Sequence, residues 1–209
     1  MTPIMIAENH RRYVERIAFL KRFGYDVEAG RADVLEAGRP LEGRILEVGT
    51  GKGYFTVALA REGCMLTSLD ISEEEQFFAR ANVEYYGYTG RVDFRIGDAA
   101  RLPFPDDSFD IVFSVNTIHH LTAPITALDE IVRVAAPAGR IVIADFNAAG
   151  FAAVDRAHRS EGRQHEAITA TLDGLRGHLA GLGYDVTITR RQTQDILAAQ
   201  PAAGKRAPV

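Results

Sequence analysis

Cysteine is almost missing: Cys64 stands alone among 209 residues, so no intramolecular disulfide framework can form. Such usage fits a reducing compartment. No apolar run approaches the length of a membrane span, and the first residues lack the apolar region of a signal peptide, so the expected location is cytoplasmic. No block of lysines and arginines occurs and the formal net charge is -4, which argues against a nucleic-acid partner. No repeat of solenoid period is present. What remains is ordinary for a globular protein, 46% hydrophobic and 25% charged, and long enough for one domain with a sizeable core.

The informative stretch is Arg44-Ile45-Leu46-Glu47-Val48-Gly49-Thr50-Gly51-Lys52-Gly53-Tyr54-Phe55. A short apolar run ends in glycine and reads as a buried parallel strand over 44–49. Three glycines at alternate positions follow, then helical spacing over 53–62. Strand, glycine turn and helix in that order mark where open α/β sheets bind nucleotides, because glycine lets backbone approach a ligand closely. The dinucleotide fingerprint needs a third glycine where this chain has Tyr54. The run is instead E-x-G-x-G-x-G, and a carboxylate at Glu47 would repel a pyrophosphate. It suits a ligand with a cationic amino group and no phosphate.

A second strand over 65–70 ends in Asp70, about twenty residues past Gly49, where a carboxylate meets ribose hydroxyls. The competing role for Asp70 is a helix N-cap. Ser72 is the better cap, with Glu75 at the capping-box position, for a helix over 72–86. A third strand, 92–96, ends in Gly97-Asp98-Ala99-Ala100. Asp98 can accept from an adenine amine and the Ala99 N–H can donate to the ring; the competing role of Asp98 is an ordinary Asx turn. Next comes Arg101-Leu102-Pro103-Phe104-Pro105-Asp106-Asp107-Ser108-Phe109-Asp110.

These residues resemble the class I S-adenosylmethionine (SAM)-dependent methyltransferases, specifically the small Methyltransferase-type-11-like group, in which a G-D-A-x-x-L-P-F-x-D-x-S-F-D string recurs between strands three and four. The resemblance covers residues 40–147 strongly. It implies a Rossmann-like, doubly wound α/β sheet of seven strands in the order 3-2-1-4-5-7-6, one of them antiparallel, with helices on both faces. It implies SAM as cofactor and S-adenosylhomocysteine as product. Glu47, Gly49, Thr50, Gly51 and Gly53 would hold the methionine part, with Glu47 near the amino group directly or through water. Asp70 and Ile71 would take the ribose end, Asp98 and Ala99 the adenine, and the Asn116 backbone the sulfonium end.

Residues 8–23 form an amphipathic helix with Tyr13, Ile17 and Leu20 on one face and Val14 and Ala18 beside it. A second helix covers 29–37 and stops at Gly38-Arg39-Pro40. These helices either pad the sheet or, over about 8–38, form a lid from which Tyr13 reaches the cofactor. Tyr85, Tyr86 and Tyr88 read as surface packing. A fourth strand spans 109–115, Pro124 opens a helix with Leu128, Ile131, Val132 and Ala135 buried, and the chain turns at 137–139. The remaining elements are a strand over 140–146, a helix over 168–182, a strand over 184–190 and a last antiparallel strand over 194–199. The domain covers 1–200, and 201–209 is a flexible tail.

Substrate-determining groups are expected after strands four and five. Four histidines fall there: His119, His120, His158 and His165. A metal site is disfavoured because no H-x-x-x-H or C-x-x-C pairing exists. A general base is the second role, assigned to His119 and His158, and backbone anchoring is the third. His120, Arg159, Arg163 and His165 are substrate-side candidates, and Arg156, Arg159 and Arg163 point to an anionic small molecule. The resulting expectation is methyl transfer to a small-molecule acceptor by in-line displacement, which needs alignment more than side-chain chemistry. A non-catalytic SAM-binding subunit, an NAD-dependent oxidoreductase and an aminopropyl transferase are the rivals.

Overall fold

The computed structural model describes residues 1–163 and 171–203. Strand β1 (Ile45–Val48) lies at the centre, flanked by β2 (Leu66–Asp70) and β4 (Phe109–Val115), both parallel to it. Beyond β2 comes β3 (Val92–Ile96); beyond β4 come β5 (Ala135–Phe146), β7 (Gln194–Pro201) and β6 (Tyr184–Arg190). The order is β3-β2-β1-β4-β5-β7-β6, with β7 antiparallel to both neighbours, as the family resemblance implied. Order reverses between β1 and β4, so the ligand crevice of such a sheet opens at their carboxyl ends.

Burial explains why β1 and β4 are central. Every residue of β1 is buried, as parallel strands covered on both faces require. Successive residues face opposite layers. Leu46, Val112, Ile141 and Ile143 pack with α5 (Pro124–Val134) and α7 (Leu172–Gly181). Ile45, Ile111, Phe113 and Val142 pack with α2 (Val27–Gly38) and α3 (Tyr54–Arg61). The fourth helix, α4 (Glu73–Tyr85), starts at Ser72, whose hydroxyl accepts from Glu75 N at 3.1 Å.

Three differences from the sequence reading have local causes. Helix α1 (Pro3–Arg22) begins five residues early, because Thr2 caps it and Pro3 sits where a missing N–H does no harm. Its buried face is Ile6, Tyr13 and Leu20, while Val14 is exposed. The turn at 137–139 is absorbed into β5: Phe109 pairs with Ala135 and Ile111 with Arg140, so four residues loop out inside one strand. Residues after Asn147, to which the sequence reading assigned no element, form α6 (Ala148–Ser160), whose first amides are capped by Asn147 Oδ1. The proposed helix at 168–182 is described from Leu172, with Leu175 and Leu179 buried beside it. Pro201 still pairs with Tyr184, so the proposed tail begins inside β7; its residues 204–209 lie outside the described residues. No helix among the described residues is long and apolar enough to cross a membrane.

Candidate active site

The glycine turn is built by contacts on three sides. Gly49 has φ +93, and a Cβ there would lie 2.0 Å from Thr117 Oγ1, so the ends of β1 and β4 touch through this residue. Gly51, at φ +49, is different: a Cβ would meet nothing within 4 Å, leaving an open cradle above the turn. The Gly51 N–H donates to Asp70 Oδ2 at 2.7 Å, and Ser72 N donates to Asp70 Oδ1 at 2.9 Å. Asp70 therefore ties the turn to the end of β2, and each of its oxygens keeps a further lone pair for a hydroxyl donor. Beside it, Ile71 is 70% exposed, an apolar surface at the crevice rim.

Glu47 sits elsewhere than expected. Its carboxyl is 1% exposed and lies within the sheet layer, not in the crevice. Oε2 accepts from Thr56 Oγ1 at 2.5 Å and Ser68 Oγ at 2.6 Å, and Ser68 Oγ lies 2.7 Å from Thr50 Oγ1. Glu47 thus braces the turn from below through hydroxyls. Burial pushes its pKa up to about 7. A folded pKa above the unfolded one favours the protonated fold, so stability falls as pH rises through that window. The penalty is absent below about pH 4 and reaches on the order of 3 kcal/mol above about pH 7. Glu47→Gln is expected to melt above the wild type by a margin that grows from about pH 5 to pH 8; thermal melts of both proteins check this, and a constant margin would contradict it.

Asp98 forms the Asx turn that competed with adenine binding: Ala100 N donates to its Oδ1 at 2.9 Å. Asp98 remains exposed and Ala99 is buried beside it. Asn116 has φ +52, and its N–H is committed to Ala144 O at 2.8 Å, so its backbone donor is not available to a ligand. Its side chain is the informative part. Nδ2 donates to Tyr25 OH at 2.8 Å, and Oδ1 is buried with no hydrogen-bond partner among the described residues. Burial raises the Tyr25 hydroxyl to about 12, keeping it protonated.

The substrate-side candidates separate. His119 is 5% exposed; its Nδ1 lies 2.5 Å from Asp145 Oδ1 and its N–H donates to Asp145 Oδ2 at 3.1 Å. It packs against Phe146, Phe151 and the exposed His120. His158 lies in the last turn of α6, ten residues and about 15 Å along the helix from its start. There it neighbours Arg163, not His119. Arg156 donates to Phe23 O, Arg159 pairs loosely with Asp155 at 3.7 Å, and Arg163 with Glu161 at 3.9 Å. Each of the three arginines thus has its own protein partner. His165 lies outside the described residues. Among the described residues no three His, Cys, Asp or Glu side chains gather as a metal would need.

Two residues escaped the sequence reading. Asp145 is the last residue but one of β5, as Asp70 is the last of β2, and the same rule, a carboxylate at the carboxyl end of an inner strand, would have found it. Arg31 is the one charged side chain on the buried face of α2. Tyr13, buried, accepts from Arg31 Nη1 at 3.0 Å and stacks on Tyr54 at 4.8 Å, so the first two helices lean on the exit of the glycine turn.

This strand order is the one typical of the class I SAM-dependent methyltransferase fold. Residues 46–143 match the family model Methyltransf_11, described as Methyltransferase domain. It is 32% identical over 149 residues to the 27-O-demethylrifamycin SV methyltransferase of Amycolatopsis mediterranei, covering 68% of this chain and 54% of that one. It is 37% identical over 118 residues to the demethylmenaquinone methyltransferase of Clavibacter sepedonicus, covering 56% and 47%. The chain thus spans about half the length of the curated relatives it matches. Among solved structures, a SAM-dependent methyltransferase from Aquifex aeolicus aligns with TM-score 0.65 at 22% identity, over 86% of this chain and 95% of that one. The [4+2]-cyclase SpnF aligns with TM-score 0.67 at 20% identity, over 83% and 81%. At these identities the structural likeness speaks for the fold alone.

Proposed function

We propose that this protein transfers a methyl group from SAM to an oxygen of a small-molecule acceptor. The observation that carries the cofactor reading is the open cradle at Gly51 beside the Asp70 carboxylate. SAM supplies a methyl group on cationic sulfur, already activated toward a nucleophile. The chain's own part is placement. Asp70 would accept the ribose hydroxyls, Ile71 would cover the adenine edge with Asp98 and Ala99 beyond it, and Asn116 Oδ1 would accept from the ammonium. Tyr54 stands where a dinucleotide site needs glycine, which disfavours NAD.

The acceptor reading rests on His119. Asp145 holds its Nδ1, the arrangement that orients an imidazole for proton transfer at the opposite nitrogen. A hydroxyl acceptor needs its proton removed as the bond to carbon forms, whereas a thiol, being more acidic, reaches its reactive anion without a positioned base. The relatives' names include O-methylation of a small molecule, which agrees with this reading. The test is a panel of phenols, alcohols and thiols with SAM, read as S-adenosylhomocysteine formed. Hydroxyl acceptors are expected to turn over, and His119→Ala to lose about a hundredfold or more in kcat while binding S-adenosylhomocysteine as the wild type does. Turnover of thiols alone, or an unaffected His119→Ala, would end the oxygen assignment.

A further inference from the structure

Three strands carry a row of charge that the proposed chemistry does not yet use. The sheet register sets Arg190 of β6 opposite Asp195 of β7, and Asp195 opposite Asp145 of β5. Residues paired across antiparallel strands project from the same face, so the three side chains stand side by side across the sheet. The next row on that face is Ile188, Leu197 and Ile143, which pack in or against the core shared with α5 and α7. The charged row therefore closes that core at the carboxyl end of β5. Its inner member is Asp145, whose Oδ1 lies 2.5 Å from His119 Nδ1.

Asp145 and Asp195 are like charges directly opposite one another, 6% and 7% exposed. Such a pair is unfavourable unless each charge is met. Asp145 accepts from the backbone N–H groups of His119 and Phe146 and lies against the His119 ring. Asp195 accepts from Arg190 Nη1, and from Asn147 Nδ2 at 3.2 Å. Arg190 reaches solvent and also donates to Asp173 of α7 at 2.9 Å. A second carboxylate is thus fixed one strand behind the His119–Asp145 pair, with one cation set over it. On its other sides His119 meets His120 of its own turn and the uncharged Phe151 of α6. The Tyr25 hydroxyl, from the segment between α1 and α2, lies within electrostatic reach of Asp145.

We infer that Asp195 is a positioning residue for the base: its charge, acting across Asp145, favours the imidazolium formed when the acceptor hydroxyl gives up its proton, and Arg190 offsets that charge. The offset matters because a base must be neutral before the transfer and cationic after it. An uncompensated Asp195 would favour only the second state. The inference rests on the reading of His119 as the base. It gives β6 and β7, which lie beyond the strands that frame the crevice, a part in the proton transfer.

The test is an NMR titration of the His119 ring, whose signals are those missing from His119→Ala, in the wild type and four variants. Asp195→Asn removes the carboxylate and is expected to lower the pH midpoint of His119 protonation by about half a unit or more. Arg190→Gln leaves the carboxylate uncompensated and should raise the midpoint by a similar amount. Arg190→Lys keeps the cation and should titrate close to the wild type. The double variant Arg190→Gln/Asp195→Asn removes both charges and should return to the wild-type midpoint. An unmoved midpoint in Asp195→Asn would overturn the inference. So would shifts of the same direction in the two single variants, as a loosened sheet edge would cause. Should Arg190→Gln not fold, Asp195→Asn and the double variant decide, and an equal lowering in both would overturn it. The titration needs neither acceptor nor cofactor, so failure of the oxygen assignment in the turnover panel is read separately from failure here.

Discussion

Asp70→Ala is expected to weaken S-adenosylhomocysteine binding by about a hundredfold or more, because two kinds of contact go at once. The carboxylate would accept the ribose hydroxyls, and it also holds Gly51 N and Ser72 N. Removing it therefore frees the turn that the ligand must find already shaped. Asp70→Asn keeps one oxygen for a backbone N–H and should fall between the wild type and Asp70→Ala. Helix α4 is capped by Ser72, not by Asp70, so both variants should stay folded. Calorimetry with S-adenosylhomocysteine, alongside thermal melts, separates the two effects. An Asp70→Ala protein that binds as the wild type does would mean the cradle at Gly51 serves another ligand.

The largest effect on stability is expected at Gly150. A Cβ there would lie 1.9 Å from the Thr193 carbonyl oxygen, which is backbone and cannot rotate away. In an isolated helix alanine would be the better residue by up to about 1 kcal/mol. Here the clash dominates, since α6 must move off the strand ends to relieve it. Gly150→Ala should destabilise the fold by about 3 kcal/mol, or roughly 6–12 °C in Tm for a chain of this size. Gly177 in α7 is the control: a Cβ would meet nothing within 4 Å, so Gly177→Ala should stabilise by up to about 1 kcal/mol. Thermal melts of the two variants should move in opposite directions. Equal small shifts would show that α6 is not held against Thr193 in solution.

Legibility in the sequence divided by distance along the chain. The strands and the roles of Ser72 and Pro124 followed from local signals, namely apolar runs of strand length, glycine turns, a capping serine and an N1 proline, whereas the strand order came from the family resemblance. The ends of the strands were also legible, which placed Asp70, Asp98 and Asn116 at one edge. Glu47 was misplaced because alternation along β1 says which face a side chain takes, but not that hydroxyls from Thr56 and Ser68 wait there. The arginines after β5 looked like a cluster because they are close in number. In the structure each has its own partner: Arg156 donates to Phe23 O, Arg159 pairs with Asp155, and Arg163, beyond the end of α6, pairs with Glu161.

The sequence by itself determined the layers and the position of the crevice, because strand burial and turn chemistry are encoded within a few residues. It also determined which acids end strands. Only the tertiary structure decided what each charged group faces. His119 meets Asp145 across 26 residues, Asn116 meets Tyr25 across 91, and Arg31 meets Tyr13 across 18, the last pair on different helices. Those pairings depend on how elements dock once apolar area is buried, and no local periodicity carries that information. The charged row of Arg190, Asp195 and Asp145 belongs to the same class: it exists because β7 docks between β5 and β6 in one register.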